Sequence, residues 1–189
     1  MRALVKAGPT EGFELRDVPV PTIREDEVLI RVRAAGVCGT DVHIHDWDAW
    51  AQGRCRPPFT VGHEFSGVVE RVGGLVTSVQ VGDRVTAEGH IVCGRCHLCR
   101  TGNAHVCPAT KIIGVDRDGA FADYIAMPAS NVWHLDPAVS FAIGGIHDPM
   151  GNAFHTALHG TQLPGARRLV SGCVRVCSFA GGFARAAGE

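Results

Sequence analysis

Four cysteines, Cys93, Cys96, Cys99 and Cys107, are spaced C-x2-C-x2-C-x7-C. Thiolates packed this densely along a chain can meet at one point only if the backbone folds around that point. Zinc takes four ligands at the corners of a tetrahedron, and thiolate sulfur at about 2.3 Å satisfies it completely. The two-residue gaps let a tight turn aim successive sulfurs at one ion, with Gly94 and Gly102 easing the backbone. A closed set of four leaves no position open for chemistry, so such a zinc is structural. An iron–sulfur cluster is a second reading, although the ferredoxin run continues with a three-residue gap before Cys-Pro, whereas Cys107-Pro108 follows seven. Free thiols clustered by chance are a third. The remaining cysteines are Cys38, Cys55, Cys173 and Cys177. In a reducing compartment, clustered cysteines hold metal more often than they form disulfides.

A zinc ribbon lying on nucleic acid requires a basic stripe. Here 18 Lys+Arg face 19 Asp+Glu over 189 residues, a formal net charge of −1. That balance gives no electrostatic ground for a nucleic acid or an anionic membrane as partner. At 46% hydrophobic and 20% charged the composition is globular. No run reaches the roughly 18 apolar residues of a membrane helix. Met1 to Pro9 lacks the apolar core of a signal peptide, and the expected location is the cytoplasm.

Up to about residue 140 the chain reads as short strands between turns. Val28, Ile30 and Val32 alternate with Leu29, Arg31 and Arg33, the period of a strand with one protected face. Met1–Lys6 and Leu15–Val18 read as neighbouring strands, Val68–Val72 and Phe121–Ala126 as further ones, and 79–85 as strand, Gly-Asp turn, strand. Many short strands with glycine-rich turns predict a mainly β fold, a small barrel or sandwich. The pattern changes at Asp148-Pro149, a helix start with Asp as cap and Pro at the first helical position. Ala153, Phe154, Ala157 and Leu158 then recur at helical spacing towards Gly160, and Ala166–Ser171 reads as a buried strand.

A second constellation is dispersed. Cys38 lies in Gly36-Val37-Cys38-Gly39-Thr40-Asp41-Val42-His43, after a strand, and His63 and Glu64 lie in Gly62-His63-Glu64-Phe65-Ser66-Gly67. Singly, a cysteine is more often a small core residue and a histidine a bland one. Together they have the ligand types of a catalytic zinc, which keeps one position open.

Gly62-His63-Glu64-x2-Gly67-x5-Gly73-x2-Val76 resembles the zinc signature of the medium-chain alcohol dehydrogenase family, and the lobe at 93–107 resembles that family's structural-zinc loop. Cys38 to Ile44, Trp47 to Gln52, Gly89-His90-Ile91 and Asp148-Pro149-x-Gly151-Asn152-Ala153 are most similar to its threonine-oxidising branch. Polyol and other secondary-alcohol dehydrogenases share much of the pattern. The resemblance implies a GroES-like β-barrel catalytic domain over 1–147, then a linking helix and first strand of an α/β Rossmann domain over 148–171. It implies NAD-dependent oxidation of the threonine 3-hydroxyl to 2-amino-3-oxobutanoate, a small-molecule substrate, and a homo-oligomer. It also implies one structural zinc on Cys93, Cys96, Cys99 and Cys107, and one catalytic zinc on Cys38 and His63 with Glu64 as third ligand. Thr40 would hydrogen-bond the substrate oxygen and His43 would hand the proton to solvent. Asp148 is either a tuning acid near the metal or only the helix cap. His90 lies near substrate or is a surface histidine, and Trp47 and Trp50 wall a pocket or simply pack.

The family's dinucleotide turn is Gly-x-Gly-x-x-Gly. Here the segment reads Gly172-Cys173-Val174-Arg175-Val176-Cys177, so only the first glycine is present. The expectation is a truncated or frame-shifted dehydrogenase in which 172–189 is a non-family tail, with no NAD binding or activity of its own. A zinc-binding scaffold without chemistry is the competing class.

Overall fold

The alternating stretch at Val28–Arg33 lies inside β3 (Glu27–Gly36), the strand on which the others are built. A computed structural model describes residues 1–158, 169–172 and 174–187 of the chain. β3 pairs antiparallel with β5 (Glu64–Val72) on one side and β9 (Tyr124–Pro128) on the other. β6 (Arg84–Ala87) joins β5 and β10 (Val132–His134) joins β6, giving the order β10-β6-β5-β3-β9. Two register shifts in the β3–β5 ladder, at Leu29/Ile30 and Val32/Ala34, bend β3 as bulges do. A smaller sheet, β2-β1-β4, holds β1 (Arg2–Lys6), β2 (Glu14–Asp17) and β4 (Phe59–Thr60). A bridge between Ala3 and Ala122 ties it to the approach of β9.

Val28, Ile30, Phe65, Val69, Val85 and Met127, all from the five-stranded sheet, form one core. Each fully buried side chain of that size contributes about 1.5–3 kcal/mol. A second core gathers Ile44, Cys55, Phe59, Val61 and Val115, with Trp47 packed against it. Beside it Lys6 is 1% exposed. Its Nζ donates to the carbonyls of Thr10, of Gly12 at 3.2 Å and of His45 at 3.1 Å. The rings of Phe13 and Trp47 stand over the ammonium at 5.7 and 5.0 Å. This cage fixes the end of α1 (Gly39–Asp46), the helix that follows Cys38.

The structure departs from the sequence expectations in four places. Residues 79–82 form no strand, and only β6 follows the Gly82-Asp83 turn. The strand expected from Phe121 begins at Tyr124. The helix expected from Asp148 is α5 (His147–Leu158), which follows the short α4 (Phe141–Gly144), so Asp148 lies within the first turn of α5, and Gly160 is outside the described residues. Of the expected strand at 166–171, residues 166–168 also lie outside them. Leu169 and Val170 belong to no strand and are 94% and 39% exposed among the described residues. The last segment is ordered as α6 (Arg175–Ala186). It packs Ala180 against Ala153 and Ala157 of α5, with Phe183 edge-on to Phe154 at 5.2 Å. Small residues bring the helices close, and the aromatic pair closes the gap.

Candidate metal centres

The cysteine lobe leaves the barrel between β7 (His90–Ile91) and β8 (Lys111–Ile112), which pair antiparallel at its base. Asn131 anchors that base, its Nδ2 donating to the carbonyls of Glu88 at 2.9 Å and His90 at 3.0 Å. Inside the lobe, Cys96 caps the short helix α3 (His97–Arg100), its Sγ accepting from Cys99 N at 3.5 Å. Four sulfur–sulfur separations are 4.0 Å (Cys93–Cys99), 3.5 Å (Cys96–Cys99), 3.9 Å (Cys96–Cys107) and 3.6 Å (Cys93–Cys107). A disulfide would need about 2.05 Å. A tetrahedron with zinc–sulfur bonds of about 2.3 Å has edges near 3.8 Å. The electrostatics agree: the Cys93 N–H and a further backbone donor draw the Cys107 thiol down to about 6. Desolvation and the neighbouring thiols push Cys99 up to about 12. Four thiolates at this spacing cannot all be charged without a cation among them, and the donor set fits zinc.

The dispersed residues also converge. Cys38, His63 and Glu64 each place a ligand atom within 4.8 Å of the others. Sheet register does this: Gly36, at the end of β3, pairs with Glu64, at the start of β5. The Glu64 carboxylate occupies the space that a Cβ on Gly36 would fill. Gly62 has φ +92° and lies against the Phe121 ring, so it turns the chain into His63 where a side chain would clash. His63 is 7% exposed and Glu64 1%. Asp41, in the first turn of α1, accepts from Cys38 N at 2.8 Å through Oδ2. Its Oδ1 lies 3.6 Å from His63 Nδ1, a buried atom with no hydrogen-bond partner among the described residues. Hydrogen bonding from His63 outweighs burial and lowers the Cys38 thiol. Burial works to lower His63, but Cys38 and Asp41 outweigh it and raise the imidazole. A soft thiolate, an imidazole and a carboxylate are donor types that fit a three-ligand zinc site.

Thr40 and His43 stand on α1 three residues apart, hence on one face. Thr40 Oγ1 is 3.8 Å from Cys38 Sγ, and His43 Nδ1 meets Asp48 Oδ2 at 2.6 Å. Trp50 lies 6.0 Å from the His43 ring. Trp47 packs into the core, as does Cys55. Cys177 Sγ donates to Ser171 O at 3.3 Å, and Cys173 is outside the described residues.

Asp148 forms a third cluster with Glu88 and His90, again within 4.8 Å. His90 Nδ1 is 2.6 Å from Glu88 Oε1. Desolvation, and then repulsion from Glu88, raise the Asp148 carboxyl to about 6. His63 and Glu64 act on it too, so Asp148 adjoins the dispersed site. Sequence reasoning missed Glu88, Asp41 and Asp48. Of these only Asp48 carried a signal, as a capping residue ahead of Ala49.

Residues 24–137 match the alcohol dehydrogenase GroES-like domain. The chain is 48% identical over 188 residues to an L-threonine 3-dehydrogenase of Bacillus velezensis, covering 100% of this chain and 54% of that protein. It thus spans about half the length of the curated relatives it matches. A cobalt- and zinc-bound thermostable alcohol dehydrogenase from Pyrobaculum aerophilum superposes with TM-score 0.83 at 30% identity, covering 98% of this chain and 56% of that one. Galactitol-1-phosphate dehydrogenase from Escherichia coli gives 0.76 at 31% identity, covering 84% and 44%.

Proposed function

The chain belongs to the alcohol dehydrogenase GroES-like domain family, and on that premise we propose that it forms the metal-binding catalytic part of an L-threonine 3-dehydrogenase-type oxidoreductase. The observation that carries the reading is the convergence of Cys38, His63 and Glu64, with Thr40 next to Cys38. Cys38, His63 and Glu64 hold the catalytic zinc, and Cys93, Cys96, Cys99 and Cys107 the structural one. Bound there, zinc acts as a Lewis acid that makes a substrate hydroxyl easier to deprotonate. Thr40 hydrogen-bonds that hydroxyl and orients it, relaying a proton only as its own O–H proton passes on. His43, one turn on and with a side chain 57% exposed, carries the proton to solvent. Asp41 orients His63, as carboxylates behind metal-binding histidines do. Asp148 tunes the charge beside the ligands.

NAD is the hydride acceptor that the resemblance implies. The described residues do not fit it: Gly172 is followed by none of the other glycines of a dinucleotide turn, and no step is assigned to residues there. We place the protein in the cytoplasm, as a homo-oligomer, acting on a small molecule with neither nucleic acid nor membrane as partner. The balanced charge gives no electrostatic ground for a nucleic acid or an anionic membrane; no described helix is long and apolar enough to cross a membrane.

Cobalt substitution tests the reading without a dinucleotide. L-Threonine is expected to perturb the visible bands of cobalt in the wild-type chain and not in Cys38→Ser. Bands that respond to a polyol and not to threonine would move the substrate class. Bands that respond to neither would favour the scaffold.

A further inference from the structure

His43 and Asp48 face each other across the turn between α1 and α2 (Ala49–Arg54). Trp47, between them, takes a left-handed conformation (φ 52°, ψ 46°) and closes α1 with its own N–H on the His43 carbonyl. Gln52 holds the turn, its Nε2 donating to Trp47 O at 2.8 Å. The chain thus reverses within one residue and the Asp48 side chain returns onto the histidine ring. Both carboxylate oxygens are engaged. Oδ1 accepts from Ala51 N at 3.0 Å, capping α2, and Oδ2 lies 2.6 Å from His43 Nδ1. The Ala51 N–H, then His43, hold this carboxyl below its ordinary value, so it is ionised near neutrality. An ionised carboxylate can only accept. The ring nitrogen that faces it must therefore carry the proton, and in a neutral imidazole the other nitrogen is then bare.

We propose that Asp48 is a positioning residue that fixes neutral His43 as the Nδ1–H tautomer, leaving Nε2 as the proton-accepting atom. The carboxylate is suited to this because its second oxygen is locked in a helix cap and cannot swing away. An exposed aspartate–histidine pair adds little to stability, so its effect lies in which nitrogen is bare. The use made of Nε2 rests on the reading of His43 as the group that takes up the substrate proton. The tautomer itself does not.

The test is long-range 1H–15N correlation of the His43 ring in the 15N-labelled chain, without metal or dinucleotide, at a pH where the ring is neutral. A His43→Gln variant assigns the signals. The wild type is expected to show a protonated Nδ1 and a bare Nε2. Asp48→Ser still caps α2, since serine is a good cap, but its side chain is too short to reach the ring. It is expected to lose the Nδ1–H preference while the Ala51 amide keeps its shift. A predominant Nε2–H form in the wild type overturns the proposal, whatever the variant does. So does an unchanged tautomer ratio in Asp48→Ser. Because the readout needs no zinc and no turnover, failure of the dehydrogenase reading leaves this result standing, and the converse holds.

Discussion

His63 Nδ1 lies 3.6 Å from Asp41 Oδ1, and the two side chains are only 9% and 2% exposed. The same carboxylate accepts from Cys38 N. One acidic group therefore braces two ligands, one just past the end of β3 and one just before β5. Asp41→Asn keeps the shape and removes the charge. It is expected to weaken zinc at the Cys38 site by about 10–100-fold and to leave the cysteine lobe unaffected. Competition with a chromophoric chelator measures both affinities, and equal loss at both would show that Asp41 acts on the fold instead.

Metal content separates the two centres. Wild-type chain is expected to bind two zinc ions and Cys38→Ser one, with the melting temperature of the remaining fold little changed. Loss of both from the single substitution would mean that the sites are not independent.

The lobe depends on its metal more than the barrel does. None of the four cysteines lies in either of the larger sheets. Removal of zinc by chelation, or Cys107→Ser, is expected to expose the bonds after Arg95 and Arg100 to trypsin while the β3–β5–β6 sheet resists. Persistence of the intact lobe without zinc would contradict a metal-held loop.

Asp148 makes stability pH-dependent. Its carboxyl is raised to about 6 in the fold by desolvation and Glu88, against about 3.9 in an unfolded chain. Between those values the unfolded state has released a proton that the folded state still holds. Stability of the metal-free chain therefore falls as pH rises through that window, by up to about 3 kcal/mol. Denaturant titrations at pH 4 and 7 should show the slope, and Asp148→Asn should flatten it.

Lys6 is the opposite case, a buried cation fully engaged. Lys6→Met leaves the carbonyls of Thr10, Gly12 and His45 without their donor. The expected cost is about 3 kcal/mol, read as a lower denaturation midpoint, together with weaker zinc at Cys38 because the end of α1 is released.

The lobe could be read from sequence because its ligands are close in the chain and spacing alone fixes the turn. β3 was legible through its alternation, although Leu29 is also buried, since both faces of its first half are covered. Glu88 and Asp41 were not legible. Each acts on the site through a contact made by folding, Asp41 upon His63 and Glu88 beside an acid on α5, although Asp41 also caps α1 locally through Cys38 N. Leu169 and Val170 were read as a buried strand because an apolar pair before a glycine gives no local sign of what covers it.

The β3–β5 ladder has one more consequence. Gly36 pairs with Glu64, Cys38 follows two residues after the one, and His63 immediately precedes the other. A chain slipped by two residues along that ladder would keep its apolar face inward, yet it would carry Cys38 roughly 7 Å away from its partners. Zinc uptake at this site is therefore a count of strand residues, and the ion discriminates between correctly and wrongly aligned molecules that a measure of compactness alone would treat as the same.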